Sequence, residues 1–204
     1  MNSVGSKTKK KYMNYKLLYT LLFMYNTITP SLSAQVFTPV QNTEIKIEGK
    51  QPMLLGHCSI DAFLKTPYNS WFTTNYKNYS VDSLAIIELK PLLKKKKIDL
   101  FMGTWCGDSK REVPIMIKIL EAAGFDTSLL SIVCVSNQTD QYKKSPQGEE
   151  IGQNILRVPT LIIYHKRKEI GRIIESPIVS IERDLIRILK QDGYIPNYAN
   201  LKSD

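Results

Sequence analysis

The sequence predicts an α/β sandwich in which a central mixed β-sheet is flanked by helices. Short apolar runs at 98–102, 129–135 and 161–164 have the length and composition of buried strands. Apolar residues at helical spacing occupy 108–123 and 181–189. Buried strands that alternate with amphipathic helices are typical of a sheet with helical layers packed against it. A chain of 204 residues is long enough to bury a sizeable core.

The first 34 residues differ in character from the rest of the chain. Five lysines precede or open an apolar run at 17–25, which is too short to span a bilayer, and small residues at 31–34 suit a cleavage site. This order predicts a secretory signal peptide over 1–34 and export of the protein. An amphipathic or anchoring helix is the alternative. The leader has no acidic residue, so its removal lowers the net charge from +9 to +4.

The charge and the histidine content argue against two classes of function. A net charge of +4 is that of an ordinary surface, and the lysine run at 94–97 has the character of a solvated loop without interleaved aromatics, unlike a nucleic-acid interface. The chain has two histidines and no C-x-x-C spacing, which argues against zinc, including a site at His57 and Cys58. We expect no nucleic-acid partner, no metal and no cofactor.

Residues 35–84 are predicted to form an N-terminal helical extension. Alternating residues at 44–48 predict a short strand. Pro67 divides the aromatic-rich stretch 59–79 into two short helices. The aromatic rings either pack the extension onto the main domain or line a groove for a ligand or partner.

The main domain is predicted over 85–192, and an irregular tail over 193–204. A helix predicted at 80–93 crosses the boundary between the extension and the main domain. The predicted elements that follow are a strand at 98–102, a helix at 108–123 closed by Gly124, a strand at 129–135, a loop at 138–147, a short helix at 149–156, a hairpin of 161–164 and 169–174, and a helix capped by Ser180 that ends by Gly193.

The junction after the strand at 98–102 carries the candidate nucleophile, Cys106. A thiol at the start of a helix lies near the positive end of the helix dipole and ionises more readily, and the thiolate is the nucleophile of disulfide exchange. Lys110 and Arg111 favour the thiolate, whereas Asp108 opposes it. The alternative is a small buried residue without chemistry.

Residues around Cys106 make the region 85–192 similar to the thioredoxin-like superfamily. Trp105 precedes the cysteine, Pro114 lies eight residues after it, and Val158-Pro159 precedes an apolar run about fifty residues downstream, where thioredoxins have their cis-proline loop. With Glu112 included, the pattern resembles most the secreted bacterial proteins of the TlpA/ResA type. The resemblance implies a thioredoxin-like sandwich and a location in the periplasm or cell envelope.

The motif Cys106-Gly107-Asp108-Ser109 reads C-x-x-S and departs from the dithiol pattern of the family. Ser109 occupies the position of the resolving cysteine. Leu100 stands where thioredoxins have a buried acid, and Asp99, one residue away, would face the other side of the strand. The dithiol proton relay of the family is therefore not expected here.

The resemblance also implies how a substrate would bind. In the family, the backbone of the residue before the cis-proline pairs with an extended substrate segment. The substrate-binding residues implied for this chain, which form a shallow surface suited to a protein, are Trp105, Gly107, Asp108, Val158 and Pro159.

The leading functional hypothesis is an exported monothiol thioredoxin-like protein, and whether it turns over as an enzyme stays open. Cys106 would exchange with protein thiols or disulfides, and an external thiol or oxidoreductase would serve as reductant. Cys134 is expected in a buried strand, and Cys58 is a weaker candidate for a distant resolving thiol. The alternative is a redox-inactive binding or chaperone-like module on the same fold. A peroxidase-like thiol is disfavoured because Gly103 replaces the threonine of a Thr-x-x-Cys site.

Overall fold

The computed structural model describes residues 41–201, and it has a mixed α/β fold with six strands and five helices. The predicted signal peptide at 1–34 lies outside the described residues. The strands are β1 (Thr43–Ile45), β2 (Met53–Cys58), β3 (Lys96–Met102), β4 (Leu130–Cys134), β5 (Thr160–His165) and β6 (Lys168–Ile174). The helices are α1 (Ile60–Phe63), α2 (Asn69–Asn78), α3 (Ser83–Leu92), α4 (Gly107–Ala122) and α5 (Ile181–Lys190).

The six strands form one sheet in the order β1-β2-β4-β3-β5-β6. Strands β3 and β4 are parallel and are connected through α4, whereas every other neighbouring pair is antiparallel. The register pairs Met102 with Cys134 and Phe101 with Thr160. The end of β3, the end of β4 and the start of β5 therefore lie side by side at one end of the strands, where α4 begins.

The two faces of the sheet are covered differently. Alternate residues of β3, such as Leu100 and Met102, point into a large core to which all five helices contribute buried side chains. Phe101 points to the opposite face, where it meets Val133 and Val158 in a small second core. No residue of a described helix belongs to this second core. The mixed α/β prediction is confirmed, but helices supply the described core on one face only.

Among residues 41–201, no helix packs on the second face, because the predicted helix at 149–156 does not form. The segment contains only turns and bends. Gly148, Gly152 and Asn154 adopt positive φ angles of 75°, 76° and 53°, which are incompatible with a continuous right-handed helix. The chain instead crosses the face as an irregular connection between β4 and β5.

The N-terminal extension contains the two helices predicted on either side of Pro67, but it is not purely helical. Strands β1 and β2 precede these helices and add to the edge of the sheet. The prediction missed β2 because its sequence, MLLGHC, does not alternate and includes Gly56 at a φ of 74°. The predicted boundary at 84/85 falls inside α3.

The extension forms a hydrogen bond with α4 near Pro114, which lies inside that helix as predicted. Pro114 has no backbone N–H, so the carbonyl of Lys110 loses its usual intrahelical donor. The side-chain amide of Asn75 in α2 donates to that carbonyl at 3.1 Å. The bond satisfies a group that the proline leaves free and fixes α2 against the first half of α4.

The last elements agree with the sequence analysis apart from one boundary. The hairpin β5–β6 turns through Lys166 and Arg167, which both have positive φ as a two-residue turn requires. Ser180 caps α5 by accepting from the Arg183 N–H at 3.2 Å. The helix ends at Lys190 because Gln191 already takes the left-handed conformation, two residues before Gly193. Within residues 41–201, no helix combines the length and apolarity needed to cross a bilayer.

Candidate functional site

Cys106 lies at the N-cap position of α4, directly after the end of β3. Its extended backbone, at φ −83° and ψ 129°, turns the chain into the helix, and its carbonyl accepts from the Lys110 N–H at 3.0 Å. The N–H groups of the first helical turn have no acceptor within the helix, so they present partial positive charge beside the thiol. Cys106 is partly exposed, which leaves the sulfur within reach of a partner.

The loop before β5 provides the closest polar neighbour of the thiol. The Cys106 Sγ donates to the carbonyl oxygen of Val158 at 3.2 Å. The next peptide bond, to Pro159, is cis. Two bonds hold this loop: the Thr160 hydroxyl donates to the Arg157 carbonyl at 2.7 Å, and the Glu175 N–H donates to the Pro159 carbonyl at 2.7 Å. The structure therefore brings Cys106, Val158 and Pro159 together.

Trp105, like Cys106, lies against the small second core. Its indole N–H donates to the carbonyl of Val135 at 2.8 Å. The ring also faces the exposed ring of Tyr142, with 5.7 Å between centroids. The sequence analysis did not identify Tyr142, because it belongs to a polar loop with no periodic pattern.

The indole of Trp105 packs so closely on Gly103 that only glycine fits at this position. A Cβ at this position would lie 2.5 Å from the Trp105 ring, well inside any real contact. We expect Gly103→Ala to push the indole away from Val135, because the ring is rigid and cannot flex as a long side chain would. The Trp105–Val135 hydrogen bond should be lost, at a cost of about 1–3 kcal/mol in the free energy of unfolding.

Chemical denaturation followed by tryptophan fluorescence measures both effects of Gly103→Ala. Gly107→Ala is the matched control, since a Cβ at Gly107 would meet nothing within 4 Å. Equal stability of the two variants would contradict the predicted role of Gly103.

Ser109, which the resemblance places at the position of a resolving cysteine, is fully buried and already bonded. Its hydroxyl accepts from the N–H of Gly103 at 3.2 Å, which ties the first turn of α4 to the end of β3. Residues at N-cap and three positions later lie one helical turn apart. A thiol at position 109 would thus be adjacent to Cys106, whereas the hydroxyl present can form no disulfide.

The other two cysteines lie on the opposite face of the sheet. Cys58 and Cys134 are buried in the large core, whereas Cys106 packs against the small one. Burial raises the pKa of Cys134 well above its ordinary value, and the neighbouring Cys58 adds to the effect. The structure does not bring Cys58 to Cys106, so the hypothesis of a distant resolving thiol has no support in this arrangement. His57 approaches Glu149 rather than a metal-ligand set, and the described residues hold no group of three His, Cys, Asp or Glu side chains placed to bind a metal ion.

Lys143 is a cationic neighbour of the thiol that the sequence analysis missed. Its Nζ donates to the Leu156 carbonyl and lies 4.8 Å from the centroid of the Tyr142 ring. Burial lowers the pKa of Lys143 and Arg157 lowers it further, while Glu175 and Cys106 act in the opposite direction. No local pattern identifies Lys143, because it lies in the loop after β4 with a positive φ.

Charged and aromatic side chains from distant segments form the remainder of the site. Asp108, on the first turn of α4, pairs with Arg111 at 2.8 Å. Arg157 pairs with Glu175 at 3.4 Å, and its guanidinium lies 4.8 Å from the ring centroid of Tyr198 in the C-terminal tail. A hydrogen bond to Glu175 raises the pKa of Tyr198, and Asp108 contributes to this shift. The tail predicted to be irregular thus reaches the rim of the cysteine site.

The sequence analysis identified Leu100 at the position where dithiol thioredoxins have a buried acid, with Asp99 one residue away. Leu100 is fully buried in the large core. Asp99 lies on the other face, where Lys97 contacts its carboxylate at 2.9 Å. Neither residue offers a proton acceptor beside Cys106.

Comparison with known proteins gives a likeness in fold alone. No protein-family model matches the chain, and no curated protein matches it. Among solved structures, the chain is similar to the 1.5 Å crystal structure of a protein of unknown function from Pseudomonas aeruginosa. The TM-score is 0.50 and the sequence identity 10%, over 67% of this chain and 93% of that chain.

Proposed function

We propose that the protein is a monothiol thioredoxin-like protein that exchanges disulfides with protein partners through Cys106. The observation that carries the proposal is the position of this thiol: partly exposed, at the N-cap of α4, hydrogen-bonded to the Val158 carbonyl and within electrostatic reach of Lys143. Reactive cysteines in general combine exposure with a helix N-terminus and a nearby cation. The other two thiols have neither the exposure nor the setting.

The order of elements from β3 to α5 supports the thioredoxin-like assignment. A parallel β3-α4-β4 unit is followed by the antiparallel pair β5–β6 and a final helix. The cysteine and the Val158-Pro159 loop face each other at one end of the strands, as the resemblance of the sequence motifs implies. The fold by itself assigns no chemistry, so the proposal depends on the thiol.

The exchange reaction needs a partner disulfide and an external thiol. The Cys106 thiolate attacks one sulfur of the partner disulfide, forms a mixed disulfide and displaces the other partner sulfur as a thiolate. An external thiolate then attacks the mixed disulfide, and Cys106 leaves as a thiolate. Because Ser109 cannot supply the second attack from within, the mixed disulfide persists until that external thiol arrives.

The Cys106 S–H donates to the Val158 carbonyl at 3.2 Å in the protein without a partner. We propose that an extended partner segment competes for this carbonyl, so that its binding releases the sulfur for attack on the partner disulfide.

A redox-inactive binding or chaperone-like module is the second candidate, and the state of Ser109 favours it. A fully buried, hydrogen-bonded serine is integrated in the structure, so the site is complete without a second thiol. Trp105, Tyr142 and Tyr198 would then form a binding rim around an unreactive cysteine.

Covalent trapping in cells separates the two candidates. We expect the wild-type protein, quenched with acid, to carry mixed-disulfide adducts on non-reducing gels, because nothing in its site resolves them. Cys106→Ser should abolish these adducts, and Cys134→Ser, the matched control for loss of a buried thiol, should leave them unchanged. Partner recovery that is the same with and without Cys106, and that reductant does not release, would refute disulfide exchange and favour the binding module.

A further inference from the structure

Positive charge is concentrated at the end of the sheet opposite Cys106, where β3 begins and where β5 turns into β6. The antiparallel pairing of β3 and β5 places Lys96 opposite His165, and β5–β6 pairing places His165 opposite Lys168. The lysine run before β3 therefore meets the turn between β5 and β6. We call the exposed cations of these two segments the basic edge; they are Lys94, Lys95, Lys97, Lys166, Arg167 and Lys168.

The nearby carboxylates neutralise little of this charge. Asp99 pairs with Lys97 at 2.9 Å. Glu169 pairs with Arg172 at 2.6 Å. Within residues 41–201, the other cations of the basic edge make no ion pair with a carboxylate. A surface that concentrates unpaired charge in this way attracts an anionic partner and gains free energy when the partner binds.

Two adjoining cavities give the basic edge an amphipathic shape. One, of about 440 Å³, is lined by cations of both segments together with Tyr164 and Leu129. The other, also about 440 Å³, has a mostly apolar surface formed by Leu93, Phe125 and the same Leu129, and its lining also includes Lys90, Lys94, Lys95 and Asp126. A free phosphate or polyphosphate would use only the first cavity. A phospholipid offers an anionic head group to the first and hydrocarbon to the second.

We propose that the basic edge is a docking surface for anionic phospholipids, which seats the protein on a membrane surface without spanning it. Strand β3 runs from this edge to the cysteine site, and seven residues of strand extend about 20 Å. Docking would therefore leave Cys106 pointing away from the lipid and accessible to partners. The charge arrangement and the two cavities carry this inference independently of the redox proposal.

Vesicle binding of the full chain tests the proposal. We expect co-sedimentation with phosphatidylglycerol vesicles, weakening as salt rises, and none with phosphatidylcholine vesicles. Each cation removed from a lipid-bound surface weakens partitioning about fivefold. The triple variant Lys166→Gln, Arg167→Gln, Lys168→Gln should therefore bind about a hundredfold more weakly.

The control variant Lys50→Gln, Lys65→Gln, Lys77→Gln removes the same charge from exposed positions elsewhere. Both variants retain the N-terminal lysines, so any contribution from those residues is equal. Alkylation of Cys106 at the wild-type rate in both variants reports that they fold. Equal loss of binding in the two variants would overturn the proposal, because it would reduce the effect to net charge.

Lysine acetylation of the wild-type protein, read by mass spectrometry, locates the contact without any substitution. Phosphatidylglycerol vesicles should protect lysines of the basic edge and leave Lys50, Lys65 and Lys77 fully labelled. Vesicle-bound protein without protection at the basic edge would also overturn the proposal. A third outcome would also overturn it: the wild-type protein does not sediment with vesicles but binds inorganic polyphosphate, and the triple variant loses that binding. The ligand of the basic edge would then be a soluble polyanion.

Discussion

Ser109→Cys is expected to convert the protein from a monothiol into a dithiol that reduces insulin disulfides. The introduced thiol would lie one helical turn from Cys106. The α-carbons of the two residues would be about 5 Å apart, which suits a disulfide. It could attack the mixed disulfide from within the site and release the partner without an external thiol. We expect insulin reduction to rise from background to measurable turnover, with Leu100 limiting the rate because no acid lies beneath the site.

Two variants control for the serine hydroxyl itself. Ser109→Ala loses the same bond to the Gly103 N–H, at about 1 kcal/mol, without gaining a thiol. The double variant Cys106→Ser with Ser109→Cys gains a thiol but has no partner for it. If mild oxidation of Ser109→Cys gives no intramolecular disulfide by mass spectrometry, the proposed thioredoxin-like geometry is wrong.

Lys143→Met is expected to slow alkylation of Cys106 at neutral pH. The variant removes a positive charge that interacts electrostatically with Cys106, and a positive charge attracts the thiolate, which is the form that reacts. Methionine retains much of the side-chain length but loses the cation–π contact with Tyr142 and the hydrogen bond to the Leu156 carbonyl. The rate is measured with iodoacetamide by mass spectrometry of the Cys106 peptide.

Lys144→Met provides the matched control for this effect. Lys144 is the next residue along the chain, is exposed, and directs its Nζ to the Asp140 carbonyl at 3.4 Å. Its substitution should leave the alkylation rate of Cys106 unchanged. Equal rates in the two variants would show that Lys143 plays no part in activating the thiol.

The candidate site divides into a part that local sequence predicts and a part that it cannot. The N-cap position of Cys106 follows from an apolar run and a helical pattern that meet at one residue, so the sequence suffices to place it. Lys143 and Tyr198 reach the site through irregular segments whose path depends on tertiary contacts. Such segments carry no hydrophobic period from which their position could be predicted.

The fold shows the same division. The strands β3, β4 and β5 and the helices α4 and α5 have strong periodic patterns and were predicted within a few residues. Strand β2 was missed, and the helix at 149–156 was predicted in error, because Gly56, Gly148 and Gly152 take positive φ angles that composition alone does not reveal. The face on which Cys58 and Cys134 lie follows from strand register, which the sequence did not specify.

The reaction of the wild-type protein with glutathione disulfide tests most directly whether Cys106 is the exchanging thiol. The measurement is mass spectrometry of each cysteine peptide after brief incubation at neutral pH, followed by addition of excess glutathione. We predict one adduct, on Cys106, that the added thiol removes completely, with Cys58 and Cys134 unmodified while the protein stays folded. An adduct on Cys58 or Cys134, or a Cys106 that stays unmodified when the unfolded chain reacts at all three thiols, would contradict the proposed exchange chemistry.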